Sequence, residues 1–319
     1  MDDPSRFFND IADALGIESV AIVEKDYYIV ELLKLLKPLN FTTHQIVFAG
    51  GTALAKSGIT LNRMSEDVDI KLIPTTTFYS LSRTQRKNIR KEVIQSIANT
   101  VVATGIFSFD DMYPKVTRDE YRYNDVPVRY PQRVAQAPCL RPFIRLELME
   151  SDLLEQPELR NIHSLGTALT GKEAVVSAFP CATIPSTHAE KIVAMLRRTA
   201  AVLRNVEQFE DASLVRHIYD AYCIAETRTI DIVLLADYVR RTVEQDILRY
   251  GNQFPQFRLS PYDEMKTGLN ELGYNPLYHT RYQQFVTPMV YGQRRVSWDE
   301  AYTRFRQIVI AILEICKQK

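Results

Sequence analysis

An α/β domain followed by a helical domain is the fold this chain predicts, and three observations carry the prediction. A short apolar strand runs straight into a glycine pair at HQIVFAGG; a second strand with alternating acids comes next at SEDVDIKLIP; and after about residue 185 the texture changes to long helical runs. At 319 residues the chain has room for a well-buried core and two domains, since globular domains usually run about 100 to 200 residues. The expected division is N-terminal helices over 1–40 packed on the core, an α/β domain over 41–185 and a C-terminal helical domain over 186–319.

The opening segment has helical periodicity, with Phe8, Ile11 and Leu15 on one stripe, and Ser19 stands where it can cap a second helix that Pro38 stops after Leu36. Ile46, Val47 and Phe48 form the first strand, and Gly50 and Gly51 turn it. VDIKLIP, residues 68 to 74, is the second strand, ended by Pro74. From Ser82 to Val102 the helical pattern returns, its first half carrying Arg83, Arg86, Lys87 and Arg90 as a positive stripe. Segments over Tyr121 to Tyr130 and Pro142 to Met149 alternate or run apolar as paired strands do, and FIRLELM sets Arg145 and Glu147 on one strand face. Residues 150 to 186, with Pro157, Gly166, Gly171, Pro180 and Pro185, read as a connecting region of hairpins or loops. HAEKIVAMLRRTAAVLRN, SLVRHIYDAYCIAE, TIDIVLLADYVRRTVEQ and WDEAYTRFRQIVIAILEIC are the helical runs of the second half.

Composition narrows the class. Lysine plus arginine number 39 and aspartate plus glutamate also 39, so no global field draws the protein to nucleic acid or membrane, and any such contact must be local. Cys139, Cys181, Cys223 and Cys316 lie far apart without CxxC, which reads as reduced, buried thiols. The five histidines show no ligand spacing and no GxSxG nucleophile turn occurs. The N-terminus lacks a basic start before an apolar run, and no segment approaches the roughly 20 apolar residues that span a bilayer, so a soluble cytoplasmic protein with no membrane partner is expected. The basic stripe from Arg83 to Arg90 suits either a solvated face or an RNA backbone. Tyr121, Tyr123 and Tyr130, near Arg122 and Arg129, suit base stacking or strand packing equally.

The stretch VFAGGTALAKS almost satisfies the phosphate-binding pattern GxxxxGK[ST], but Ala55 stands where the second glycine is required. The downstream residues do not suit a loop of that kind: Asp67 and Asp69 are two apart on a strand, so both side chains project from the same face. Close carboxylates repel unless a cation sits between them, and such a pair can hold Mg²⁺ against a triphosphate. Gly50 and Gly51, lacking Cβ, then let backbone N–H groups approach phosphate oxygens, and Thr52 opens a short helix whose positive end favours an anion. An alternating acidic pair also arises on exposed strand faces; the ordered combination of strand, glycine pair and acids is much rarer. Glu147 completes a carboxylate triad if its strand pairs beside the second one; otherwise it is a surface acid paired with Arg145. On the helix from Thr187, Ile192, Leu196, Ala200 and Leu203 form the apolar stripe, while Lys191 and Arg198 lie together facing water or a cleft. Asp220 either pairs with Arg216 one turn away or orients Lys191 across the helix pair.

The glycine pair followed by acid, apolar residue and acid resembles the nucleotidyltransferase superfamily related to polymerase beta. More narrowly, VEKDYYIVELL, FAGGTALAKSGI with RMSEDVDI, RPFIRLELM, and THAEKIVAMLRR followed by RHIYDAYCIAE resemble, in the family's order, the AbiEii/AbiGii nucleotidyltransferase toxins over most of residues 20 to 226. The resemblance implies a polymerase beta-like core with a mixed sheet, metal binding by Asp67 and Asp69, nucleotide contact by Gly50, Gly51, Thr52 and Lys56, with Ser65 matching the family's SED sequence, and a supporting helical pair through Lys191 and Asp220; Glu147, if third, joins the metal-binding acids and activates the nucleophile. It further implies Mg²⁺, an NTP substrate, an acceptor such as tRNA or another cellular target, and a cognate antitoxin. Two departures stand out: many members have aspartate where this chain has His217, and the interval from Gly51 to Asp67 is longer than in minimal superfamily members.

Two other classes compete. A P-loop ATPase or kinase would use Lys56 and Ser57 with IDIVLLAD as its acidic strand, but Ala55 adds a Cβ to the loop and Ile230 to Asp237 continues into helical YVRRTVEQ. A non-catalytic nucleotide-binding protein of the same fold would bind without turnover.

Overall fold

The structure is a computed structural model that describes residues 4–204, 210–292 and 294–317. The chain forms two units: Met1–Gly58 with Met64–Ala182 and Tyr291–Gln293, and Ile59–Arg63 with Thr183–Val290 and Arg294–Lys319.

The first unit is built on one eight-stranded sheet. Helices α1 (Phe8–Leu15) and α2 (Val20–Leu36) come first, α1 closing on Gly16 in the left-handed region with φ 62°. Strand β1 (His44–Ala49) leads into the short helix α3 (Gly50–Ala55), then come β2 (Asp67–Pro74), α4 (Thr76–Tyr79) and α5 (Arg83–Val102). Strands β3 (Ser108–Phe109), β4 (Val116–Arg118), β5 (Tyr123–Arg129), β6 (Ile144–Glu150) and β7 (Glu158–Ile162) are next, then α6 (Leu165–Leu169) and β8 (Val176–Cys181). The order across the sheet is β3-β5-β6-β2-β1-β8-β7, with β4 added on β5. β2 is antiparallel to β1 but parallel to β6, and β1 is parallel to β8, so the sheet is mixed.

Segment 150–186, which reads as a connector, supplies the β7–β8 hairpin, and β8 joins the main sheet beside β1. Its prolines and glycines mask short strands, because Pro180 is tolerated near a strand end where a ladder donor is dispensable. The Ser82 cap is a full capping box: its hydroxyl accepts from Gln85 N–H and Gln85 Oε1 accepts from Ser82 N–H at 3.0 Å. The positive stripe beyond that cap is broken up. Arg90 is buried on Glu150, Nε to Oε2 at 2.6 Å and Nη2 to Oε1 at 2.8 Å, and Arg83 pairs with Glu120. The aromatic cluster is likewise engaged, Tyr130 packing on Tyr28 with centroids 5.0 Å apart and Tyr123 bonding Glu147. Arg90, Tyr123 and Tyr130 are thus held by packing and pairing, whereas Arg83 and Lys87 remain exposed.

Apolar burial is deepest along β1 and α2, where Val47, Phe48, Ile29, Leu32 and Leu33 are fully buried, each contributing about 1.5–3 kcal/mol. Three consecutive charged residues, Glu24, Lys25 and Asp26, are buried on α2 as well. Lys25 Nζ donates to Glu66 Oε2 at 2.7 Å and to Arg141 C=O at 2.9 Å. Asp26 accepts from Leu165 N–H at 2.7 Å and from Lys56 Nζ at 2.5 Å. Buried charges are stable only when paired in this way.

The second unit is helical: α7 (Ile184–Leu203), α8 (Arg216–Thr227), α9 (Ile232–Tyr250), α10 (Pro255–Leu259), α11 (Pro261–Tyr274), α12 (Pro276–Phe285) and α13 (Trp298–Lys317). Proline opens α7, α10, α11 and α12, where its missing N–H costs nothing. Gly268 lets α11 lie against α7, since a Cβ there would fall 2.3 Å from Leu196 C=O. Asn205, the last residue of the first expected helical run, lies outside the described residues. IDIVLLAD forms part of α9, so no acidic strand exists there.

Lys25→Met should cost about 3 kcal/mol, the low end for breaking a buried pair because Arg141 still bonds Glu66; denaturant titration measures it, and adding Glu66→Gln should recover part of the loss. A second expectation concerns acid stability. Burial raises the Glu150 carboxyl, yet hydrogen bonds from His44 and Arg90 prevail and bring its pKa down to about 2. A depressed carboxylate stabilises above its unfolded pKa, roughly 4.3. That contribution is therefore lost as pH falls from about 4 towards 2, and Glu150→Gln should flatten this acid limb in a melting-temperature series.

Candidate active site

The site is built where β1 ends and β2 begins. Gly50 has φ +74°, a conformation side chains rarely adopt. A Cβ placed on it would fall 1.7 Å from Oδ2 and 2.6 Å from Cγ of Asp69. The Asp69 carboxyl therefore lies directly against the bare Cα of the glycine turn. Ala49 and Asp69 are register partners, which brings the turn and the acid level with each other. The Thr52 hydroxyl donates to the Asp67 backbone carbonyl, tying α3 to the start of β2. Gly51 and Ser65 are half-buried beside these groups in sequence.

Register then aligns a row of acids. Asp69 on β2 pairs with Glu147 on β6, and Glu147 pairs with Asp125 on β5. Register partners share a sheet face, so Asp67, Asp69, Glu147 and Asp125 all project from one side. Arg145, partner of Asp67, stands among them. Its guanidinium reaches Asp125 at 2.7 Å and Glu147 at 3.0 Å, and the Tyr123 hydroxyl donates to Glu147 Oε2 at 2.9 Å. Burial pushes the Glu147 carboxyl above its usual range against the pull of Arg145 and Tyr123. Glu147 is thus level with Asp69 but committed to β5 and β6 neighbours. Among the described residues no three His, Cys, Asp or Glu side chains converge on one ion position. Of the expected triad, Asp67 is bonded to Arg141, Asp69 lies against Gly50 on the same strand face, and Glu147 is bonded to Tyr123 and Arg145.

The pair Asp67 and Asp69 suits Mg²⁺ in a nucleotide-dependent way. Mg²⁺ keeps waters and needs only one or two carboxylates when phosphates supply the remaining oxygens. Asp67 is a quarter exposed, and its Oδ1 accepts from Arg141 Nη1. Arg141 belongs to the same block as Glu147, RPFIRLELM, yet nothing in its local sequence marks it out. Beneath it Glu66 is buried; burial alone would raise its carboxyl, but Lys25 and Arg141 hold it below the usual range.

Lys56, expected near phosphates, is paired with Asp26 and largely buried. In the helical unit Lys191 is also buried, not solvated: its Nζ is 2.8 Å from Asp220 Oδ2. Asp220 receives two bonds from Arg63 Nη2, at 2.8 and 2.9 Å, and one from Nε at 3.1 Å. Burial would raise the Asp220 carboxyl, but Arg63 and Lys191 bring it down to about 2. Arg216 instead donates to Phe285 C=O, so of the two partners foreseen for Asp220 the lysine is the one present. His217 Nδ1 lies 3.4 Å from Lys191 Nζ, and burial with the nearby ammonium drives that imidazole well below its ordinary pKa. Arg63 is the residue that helix-by-helix reading misses; its place in RMSEDVDI is the only signal.

Among the described residues no helix is long and apolar enough to cross a membrane. No curated protein sequence matches this chain. Among solved structures, MenT4, a nucleotidyltransferase toxin from Mycobacterium tuberculosis H37Rv, is similar over 96% of this chain and 89% of its own, with a TM-score of 0.59 and 20% identity, which shows a shared fold. JHP933 from Helicobacter pylori aligns over 94% and 95% at 12% identity with a TM-score of 0.46. The family model "Nucleotidyl transferase AbiEii toxin, Type IV TA system" matches residues 33–304, most of the sequence, and takes in both the glycine turn with its acids and the Lys191–Asp220 helices. The chain belongs to the AbiEii family of nucleotidyltransferase toxins of type IV toxin–antitoxin systems.

Proposed function

We propose that this enzyme transfers a nucleoside monophosphate from an NTP to a hydroxyl of an RNA acceptor such as tRNA, with Mg²⁺ as cofactor, in the cytoplasm and under control of a cognate antitoxin. The observation that carries the reading is the Asp69 carboxyl seated on the Cα of Gly50, with Asp67 on the same strand face. Asp67 and Asp69 would hold the ion. When bound, Mg²⁺ supplies positive charge to the triphosphate and to the departing pyrophosphate.

The remaining roles fall to this chain. Gly50, Gly51 and Thr52 bring backbone N–H groups to phosphate oxygens, with Ser65 beside the acids. Glu147, level with Asp69 on the same sheet face, is assigned to take the proton of the acceptor hydroxyl, which requires exchange of its Tyr123 and Arg145 partners. The hydroxyl oxygen forms the new bond to the α-phosphorus, and the bond to the β-phosphate bridging oxygen breaks. Lys191, oriented by Asp220, and Lys56 are assigned to phosphate charge; for Lys56 this requires exchange of its Asp26 partner.

Purified protein incubated with each labelled NTP and total cellular RNA should label an RNA species, and Asp69→Ala should abolish the label; equal labelling by the variant would sink the proposal. Gly50→Ala should lower the transfer rate at least about 100-fold, because the added Cβ displaces Asp69 by more than an ångström. Lys191→Met should slow transfer by about 10² or more while Arg63 still satisfies Asp220. Circular dichroism melts separate that loss from unfolding.

A further inference from the structure

Arg141 is the one guanidinium touching Asp67 among the described contacts, and its backbone is held in a manner its side chain is not. Its N–H donates to Glu66 Oε2 at 2.8 Å, and its C=O accepts from Lys25 Nζ at 2.9 Å. Lys25 and Glu66 are buried, at 0% and 2% side-chain exposure. Thus both backbone polar groups of one loop residue are bonded to a single buried ion pair. The loop from β5 to β6 has no regular structure of its own, yet a second bond fixes it upstream, Arg133 N–H to Glu24 Oε1 at 2.6 Å. The Arg141 side chain, by contrast, is 31% exposed and ends on the Asp67 carboxylate, with Glu66 Oε1 at 3.5 Å.

A rigid base carrying a part-exposed cationic arm is the arrangement that positions a ligand-binding side chain. A guanidinium and a divalent cation compete for the same carboxylate oxygen, since each prefers a negative partner and their charges repel. When a cation takes Asp67, the arm is turned loose above the same strand face, where its planar fork matches phosphate oxygens. Resting on the proposed metal and NTP site, we infer that Arg141 is a phosphate-binding residue of this enzyme: it neutralises Asp67 before metal–nucleotide arrives and transfers its hydrogen bonds to the triphosphate afterwards.

The inference makes two affinities move in opposite directions. Mn²⁺ serves as probe, its binding followed by electron paramagnetic resonance, alone and with each of ATP, GTP, CTP and UTP. In Arg141→Gln, affinity for Mn²⁺ alone should rise about threefold, as a part-exposed competing cation is removed. Affinity for the Mn²⁺–NTP complex should fall about tenfold or more, as expected for losing a charge-assisted phosphate contact. Arg141→Lys, which keeps the charge but not the fork, should leave Mn²⁺ affinity near wild type and still weaken Mn²⁺–NTP. This variant carries the test if Arg141→Gln does not fold, as judged by its melt. Both affinities falling together would make Arg141 a structural ion pair and overturn the inference, as would no change in either. If wild type shows no Mn²⁺–NTP binding that Asp69→Asn removes, the proposed function itself fails.

Discussion

A missing Cβ organises the junction of β1 and β2. Gly50 occupies left-handed backbone at the end of β1, and the Asp69 carboxyl fills the space any larger residue would need. This close approach adds to the β1–β2 ladder, in which Ala49 is the register partner of Asp69. The glycine and the acid therefore form one steric unit whose members cannot be altered separately. The Thr52 bond to the Asp67 carbonyl repeats the tie one step along, so both acids are referenced to the same turn. A sheet face with several acids in adjacent rows is electrostatically costly, and the cost is offset locally. Arg145 stands between Asp125 and Glu147, while Arg141 meets Asp67.

Helix α2 explains how that charged surface is borne by a small domain. Its consecutive Lys25 and Asp26 point to different clients: Lys25 to Glu66 and the Arg141 loop, Asp26 to Lys56 and the start of α6. Burying Lys25 and Asp26 beside Glu24 on one helix turn is tolerable because each has its own partner, that of Glu24 being Arg133 N–H. The arrangement also trades stability for placement. An apolar pair in place of Lys25 and Glu66 would pack comparably, but it could not hold the N–H and C=O of Arg141 at once. The ion pair is thus better understood as a device for shaping the loop than as a source of stability.

How far the sequence can be read depends on whether a residue's partner is local. The glycine turn, the strand that begins at Asp67 and the shared face of Arg145 and Glu147 come from period-two geometry and backbone rules, which act over a few residues. The capping box at Ser82 and the proline starts of the helices are equally local. Partners distant in sequence are invisible. Nothing in periodicity says that Arg90 is buried on Glu150, 60 residues away, or that Lys25 meets Glu66. Of the four basic residues in the α5 stripe, Arg83 and Arg90 meet acids, Glu120 and Glu150, that are distant in sequence. The β7–β8 hairpin is obscured for a different reason: short strands rich in proline and glycine carry weak alternation, and only pairing with β1 assigns them to the sheet. Arg63 and Arg141 stand in plain view within family-like blocks, yet residue type alone does not distinguish a pinned arginine from a surface one.

Charge balance poses a separate problem in the helical unit. Arg63 and Lys191 bring two positive charges to the single negative charge of Asp220, and all three are buried. Family members with aspartate at the position of His217 would balance such a cluster. Here the imidazole is neutral, because burial and the Lys191 ammonium both disfavour a further proton. His188, one turn before Lys191, is neutral for the same two causes, its pKa pushed down to about 3. The neutral imidazole adds no charge to the Arg63–Asp220–Lys191 cluster, whereas an aspartate at 217 would add a second acid to it. Histidine in this place thus leaves Asp220 as the acid that Lys191 and Arg63 share.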